Sequence, residues 1–344
     1  MKEINYQSRI IWLDLLRILA AFFVVNIHVL YVYLEPLSEM NHLNSLIYSL
    51  ITFLISSADP IFFMLSGSMF LSSKKEYTLK TIVKDKVFRL LIAFFFWSFI
   101  YSFISNVLIR YLHGGITTGI ITSFIKDFFT GYNHMWFIYA LIFVYLSVPF
   151  LKKICEKKEN QILFLALSSV SFILSFLNSF YDFKSINIIA DQAGFNILTG
   201  YVFFFVLGNF LYVYEIPFPV RFTCYGLTVI TVIVRIVFQK IYEYLSLPNG
   251  LIAVSIFLIF KYLISKINFR NKSKLFIVKL SSLTFGTYLS HQVFIIALSM
   301  VKKYLNPTTF LLPFLVLIAV VVFSISLIFT WIISRIPVLK KYII

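Results

Sequence analysis

Arg17 and His28 stand eleven residues apart in an apolar run that begins at Ile10. At about 100° per residue, eleven residues make about three turns, so on a helix both side chains leave from one face, about 16 Å apart along the axis. Asp14, three residues before Arg17, joins the same stripe. The guanidinium is a planar fork suited to phosphate or carboxylate, and an imidazole takes up and releases protons near neutral pH. An acid, an arginine and an imidazole on one face of an apolar helix are costly unless they work there. The plainer accounts are an Asp14–Arg17 pair that ties helices together and a hydrogen-bonded core histidine.

Few other ionisable residues enter the apolar runs. Of the 14 acidic residues only Asp14 and Asp59 do so. Of the five histidines, His28 and His291 lie inside runs, His134 opens one, and His42 and His113 fall in or near loops. Asp59-Pro60 interrupts the second run and is followed by Ser66-Gly67-Ser68. Proline forbids a regular helix just before it, and at membrane depth a broken helix is tolerated where it is buried in protein or lines a cavity. Ser66-Gly67 admits the close approach of another backbone or of a ligand. Trp136 follows His134 at the start of the fourth run, where an aromatic residue suits either a membrane interface or a substrate cavity. Tyr288 and His291 are three apart and share a face.

The elements that must position these residues are membrane helices. The chain has 344 residues, 60% hydrophobic, with only 13% charged and a mean hydropathy of +0.92. Soluble domains carry about 25% charged residues. About twenty apolar residues cross a bilayer. That rule gives ten spans, at about 10–34, 43–71, 88–111, 134–151, 161–180, 196–214, 219–238, 245–265, 281–301 and 309–334. The first run is too long and too charged for a cleaved signal. With no internal repeat or linker, residues 1–344 read as a single all-α polytopic membrane domain.

The net charge of +16 suggests nucleic acid until its placement is considered. With the N-terminus inside, 22 of the 30 Lys and Arg fall in inner loops, six in outer loops and two within spans. Lys and Arg in short loops set orientation. The alternation supports both termini in the cytoplasm and argues against nucleic acid as a partner. Some of these cations, chiefly in the Lys74–Arg89 loop, also suit an anionic cofactor. The two cysteines, Cys155 and Cys224, offer neither a disulfide framework nor a zinc site, and no metal is expected.

Taken in order, four segments resemble the membrane-bound acyltransferase-3 family. They are Asp14-Leu-Leu-Arg17 followed by His28, Pro60-Ile-Phe-Phe-Met-Leu-Ser66-Gly67, His134-Met-Trp136-Phe, and Phe285-Gly-Thr-Tyr288-Leu-Ser-His291. The resemblance spans nearly the whole chain. It departs in the loop before span three, where Lys86-Val-Phe-Arg89 stands in place of a paired-arginine motif. The soluble extension that some members carry is absent, as in the stand-alone exopolysaccharide-type subgroup.

This resemblance implies a multi-pass enzyme of the bacterial plasma membrane. Its acyl-CoA donor, usually acetyl-CoA, serves an acceptor that is a surface glycan or lipid-linked saccharide. Membrane lipids and polysaccharide-synthesis machinery are the implied partners. On this reading Arg17, Lys86, Arg89, Ser66 and Gly67 hold the donor. His28, with Asp14 and His134, carries the chemistry. Asp59, Trp136, Tyr288 and His291 line the substrate cavity. The residues alone leave open whether His28 is a general base or a covalent acyl carrier. They also leave open a transporter of a lipid-linked glycan, because buried charges and a broken helix suit transport as well. A scaffold subunit of a polysaccharide synthase is a further reading.

Overall fold

The computed structural model describes residues 9–33, 42–109, 111, 119–178, 200–238, 247–300 and 311–343. Every regular element among them is helical. In chain order these are α1 (Ile11–Tyr33), α2 (His42–Ile55), α3 (Ala58–Phe70), α4 (Leu79–Ile82), α5 (Phe88–Phe103), α6 (Ile120–Thr130), α7 (Trp136–Cys155) and α8 (Lys158–Asn178). They continue with α9 (Tyr201–Val213), α10 (Phe218–Phe238), α11 (Leu247–Tyr262), α12 (Asn271–Met300), α13 (Leu311–Ile333) and α14 (Pro337–Tyr342). Seven helical stretches are long and apolar enough to cross a membrane, and Tyr201–Val213 and Phe218–Val234 are shorter apolar helices. The chain is therefore an all-α polytopic membrane protein. His113, expected in an outer loop, lies outside the described residues.

Two regions differ from the sequence expectation. The stretch before the fourth expected span contains a helix, α6, held between left-handed Gly119 (φ 98°) and Gly131 (φ 74°). It buries no residue fully, and it lays Phe124 on Phe99 and Phe128 on Phe95. Its period-four row Ile121, Ile125 and Phe129 is exposed. A helix with such a face lies along an interface more readily than it spans one.

The second expected span is two helices, broken at Ser56-Ser57. Pro60 consequently sits in the first turn of α3, where its missing N–H removes nothing. Carbonyls freed by the break are taken up locally. Ser56 Oγ donates to Phe53 O at 2.7 Å, and Ser57 Oγ to Leu54 O at 2.6 Å. The break also places Asp59 in the first turn of α3, where the helix dipole favours negative charge.

The centre of the bundle is α1, packed against α3, α12 and α13. The tightest helix pair is α3 with α9, and two glycines explain it. A Cβ on Gly67 would lie 1.7 Å from the carbonyl oxygen of Phe205, and one on Gly208 would lie 2.1 Å from that of Met64. Small residues let backbones touch where lipid supplies no hydrophobic drive. At Gly67 the partner that approaches is thus a backbone.

Candidate functional site: two polar rungs on four helices

Four helical segments around the core each carry two polar or sulfur-bearing residues ten or eleven positions apart. The pairs are Arg17 and His28 on α1, Asp59 and Met69 on α3, His134 and Tyr145 on the α7 segment, and Ser281 and His291 on α12. At about 1.5 Å per residue this separates the two levels by about 15–17 Å. Direct contacts build each level.

The first level surrounds Arg17. Asp14, 3% exposed, accepts from Arg9 Nη1 at 2.9 Å, from Arg17 Nη1 at 3.3 Å and from Ser281 Oγ at 2.6 Å. Arg17 Nη1 also donates to Ser281 Oγ at 3.2 Å, and its Nη2 lies 3.0 Å from Met69 Sδ. Asp14 therefore holds Arg17 by one corner of the fork. The Arg17 side chain remains 19% accessible.

Beyond it lies an aromatic floor ringed by cations. Phe70 lies 4.6 Å from Tyr145 and 5.4 Å from Tyr77, centroid to centroid. The ammonium of Lys86 sits 5.3 Å over Phe70, and those of Lys75 and Lys152 sit 5.5 and 5.4 Å over Tyr77. Tyr145 hydrogen-bonds Ser66 and lies within Coulombic reach of both Arg17 and Arg89. The acid that pairs with this ring of cations is the half-exposed Asp85, 3.7 Å from Lys75. Lys86 belongs to a π-helical turn, Val83–Val87, of the kind that recurs at functional sites.

The second level is a cluster of three histidines. Ring centroids are 5.0 Å apart for His134 and His291, 5.2 Å for His28 and His291, and 6.0 Å for His28 and His134. His134 and His291 are buried, whereas His28 is partly accessible. Neither ring nitrogen of His134 has a hydrogen-bond partner among the described residues, and neither has Nε2 of His291. His291 Nδ1 is 2.6 Å from the carbonyl oxygen of Tyr288. Tyr288 donates its hydroxyl to the carbonyl of His134, which fixes the turn that carries that ring. Tyr101 lies edge-on to His134 at 5.2 Å, donates to Leu289 O at 2.6 Å and stacks on Tyr132 at 4.9 Å.

Asp59, Trp136 and Tyr201 flank this cluster. Asp59 is 7% exposed and lies within Coulombic reach of Tyr288 and Tyr201. Trp136 is 37% exposed and lies 5.4 Å from Tyr201, tilted by 33°. Among the described residues no three or more His, Cys, Asp or Glu side chains are arranged to hold a metal ion.

The structure thus gathers His28, His134, His291 and Tyr288 at one level, with Asp59 and Trp136 beside them. It gathers Arg17, Asp14, Ser66, Lys86 and Arg89 at the other. Gly67 lies near the second group but faces Phe205. The acyltransferase-3 model, an acyltransferase domain, matches residues 10–334. The chain belongs to the acyltransferase-3 family. It is therefore a membrane acyltransferase, and both levels lie inside the matched domain. Comparison with curated proteins and with solved structures finds no match.

Sequence reasoning missed Tyr145, Ser281, Tyr101 and Tyr132. The first two carried a signal, because Tyr145 follows His134 by eleven residues and Ser281 precedes His291 by ten. Tyr101 and Tyr132 carried none, since they read as ordinary membrane aromatics.

Proposed function

We propose that this acyltransferase moves an acyl group, acetyl by default, from acyl-CoA to a hydroxyl of a surface or exopolysaccharide glycan at the bacterial plasma membrane. The observation that carries this reading is the pairing of two unlike polar levels on the same helices. One is cationic and suits phosphate. The other is imidazole-rich and suits proton transfer. In this reading the chain crosses the membrane ten times with both ends in the cytoplasm, so the Arg17 level faces the cytoplasm and the His28 level faces the acceptor.

Arg17, Arg89 and Lys86 receive the phosphates of the donor. Guanidinium forks bind two phosphate oxygens at once, and charge-assisted bonds of this kind are the stronger ones. Tyr145 and Ser66, hydrogen-bonded to each other, line the way in from that end. The donor arm lies along α1 between the two levels and delivers the thioester carbonyl to His28. His28 then takes the proton of the acceptor hydroxyl as its oxygen attacks that carbonyl. The carbon–sulfur bond breaks, and the thiolate leaves and is protonated to free CoA. His134 faces the same space with both nitrogens available. Asp59, Trp136 and Tyr201 present a carboxylate and aromatic faces to a saccharide.

The test is turnover of the purified, reconstituted protein with radiolabelled acetyl-CoA and an undecaprenyl-linked saccharide. His28→Ala is expected to lower release of CoA and transfer of label by about 100-fold or more while still binding acetyl-CoA. Wild-type transfer by that variant would refute the assignment. A protein that moves the saccharide across the bilayer without changing its acetyl content would be a transporter instead.

A further inference from the structure

The surrounding backbone places a proton on His291. Its Nδ1 lies 2.6 Å from the carbonyl oxygen of Tyr288, one turn back on α12. A carbonyl oxygen only accepts, so Nδ1 carries the hydrogen and donates it. Nε2 is then left with a lone pair. That nitrogen is buried, has no hydrogen-bond partner among the described residues, and belongs to a ring centred 5.2 Å from that of His28. A buried acceptor without a donor is costly, so its neighbours reveal what it is for.

The rings in contact with it are His28 from α1, His134 from the turn before α7 and Tyr288 from its own helix. The Tyr288 hydroxyl is committed to the carbonyl of His134. Of these rings, the imidazoles are the ones that can offer an N–H. His28 is the ring with accessible surface, and His291 lies fully buried behind it.

We infer that His291 is the positioning base of the centre: its unpartnered Nε2 is placed to receive the N–H of His28 when donor and acceptor are bound, and so to turn the other nitrogen of His28 toward the acceptor. This rests on the acyl-transfer reading above. During transfer the acceptor O–H proton passes to the facing nitrogen of His28, while the proton on the far nitrogen of His28 passes to His291 Nε2. His291 becomes an imidazolium that still donates Nδ1–H to Tyr288. The acceptor oxygen bonds to the thioester carbon, the electron pair of the carbon–sulfur bond goes to sulfur, and the thiolate takes one proton back. A neutral ester and a neutral thiol result. The arrangement follows the logic of a nucleophile, a base and a third group that orients the base, with an imidazole in the third place.

The experiment compares His291→Asn and His291→Gln with wild type in the reconstituted protein. The amide nitrogen of Asn reproduces Nδ1 and its bond to Tyr288 but leaves nothing at Nε2, whereas Gln places an amide at the ε position. Binding of acetyl-CoA is expected to be unchanged in both. Transfer by His291→Asn is expected to fall about 100-fold or more, and added imidazole to restore part of it. Transfer at the wild-type rate by His291→Asn would overturn the inference alone, since a merely structural histidine is replaced by that donor. A wild-type protein that releases no CoA would overturn the acyl-transfer reading and the inference with it. Nitrogen-15 spectra of histidine-labelled wild type, with His291 assigned from the variants, supply a readout independent of turnover. They are expected to show the Nδ1–H tautomer, and an Nε2–H tautomer would refute the inference.

Discussion

The Arg17 level and the His28 level are built from opposite materials. Around Arg17 the polar side chains are tied to one another. Asp14 accepts three hydrogen bonds, Ser281 both donates and accepts, and cations cover the aromatic rings. Around His28 three buried imidazole nitrogens, both of His134 and Nε2 of His291, lack hydrogen-bond partners among the described residues. An ionic network tied by several hydrogen bonds holds its shape, which suits the binding of an anion. Imidazole nitrogens without partners are open to a proton donor or acceptor, which suits bond making. In the proposed mechanism this becomes a division of labour along one set of helices, with binding at one level and chemistry at the other.

Substitutions at the two levels have different expected effects. The largest effect belongs to His28→Ala, which is expected to lower transfer by about 100- to 10,000-fold, the usual worth of a general base, and to leave thermal stability near wild type. Next comes Asp14→Ala. It strands Arg9 and Arg17 and frees Ser281, and losing one partner of a buried ion pair costs about 3–5 kcal/mol. A melting curve of the detergent-solubilised protein is expected to show a clear loss of stability, and a small change would mean that the network is not what orders this level.

Gly67→Ala follows. The added Cβ meets the backbone of Phe205 rather than a flexible side chain. Overpacking of this kind costs about 1–3 kcal/mol, read by the same melting curve. If the variant keeps its stability and loses donor affinity instead, Gly67 is a ligand contact and not a packing position. The smallest effect belongs to Asp85→Ala. Its ion pair with Lys75 is 3.7 Å long and half exposed on both sides, and such pairs contribute within about 1 kcal/mol. Stability is expected to be unchanged, and donor binding slightly tighter at low salt because one acid leaves a cationic mouth.

How much of this was legible in the sequence follows from the distance over which each signal acts. The Arg17–His28 stripe is local, since period and rise within one helix fix it. The fold class was equally plain from composition. The break at Ser56-Ser57 was legible from Pro60, although it falls three residues earlier because proline sits comfortably in a first turn. The meeting of His28 with His134 and His291 was not legible. It depends on how α1, α7 and α12 pack, which small-residue contacts and ridge geometry decide rather than any one segment. The role of Gly67 shows the same limit, because the sequence allowed a backbone or a ligand and only packing selects Phe205. Lys261 shows it for charge. It counted as an orientation signal, yet its ammonium caps α9 by donating to Leu211 O at 3.0 Å and Tyr214 O at 2.7 Å.

In the proposed mechanism donor binding and acyl transfer are separable along α1. Equilibrium binding of labelled acetyl-CoA to wild type, Arg17→Ala and His28→Ala in the same lipid tests it most directly. Loss of a charge-assisted hydrogen bond is worth about 1.5–3 kcal/mol, so Arg17→Ala is expected to weaken binding by about 10- to 100-fold. His28→Ala is expected to bind as wild type does. Equal loss in both variants, or loss in His28→Ala alone, would contradict the account.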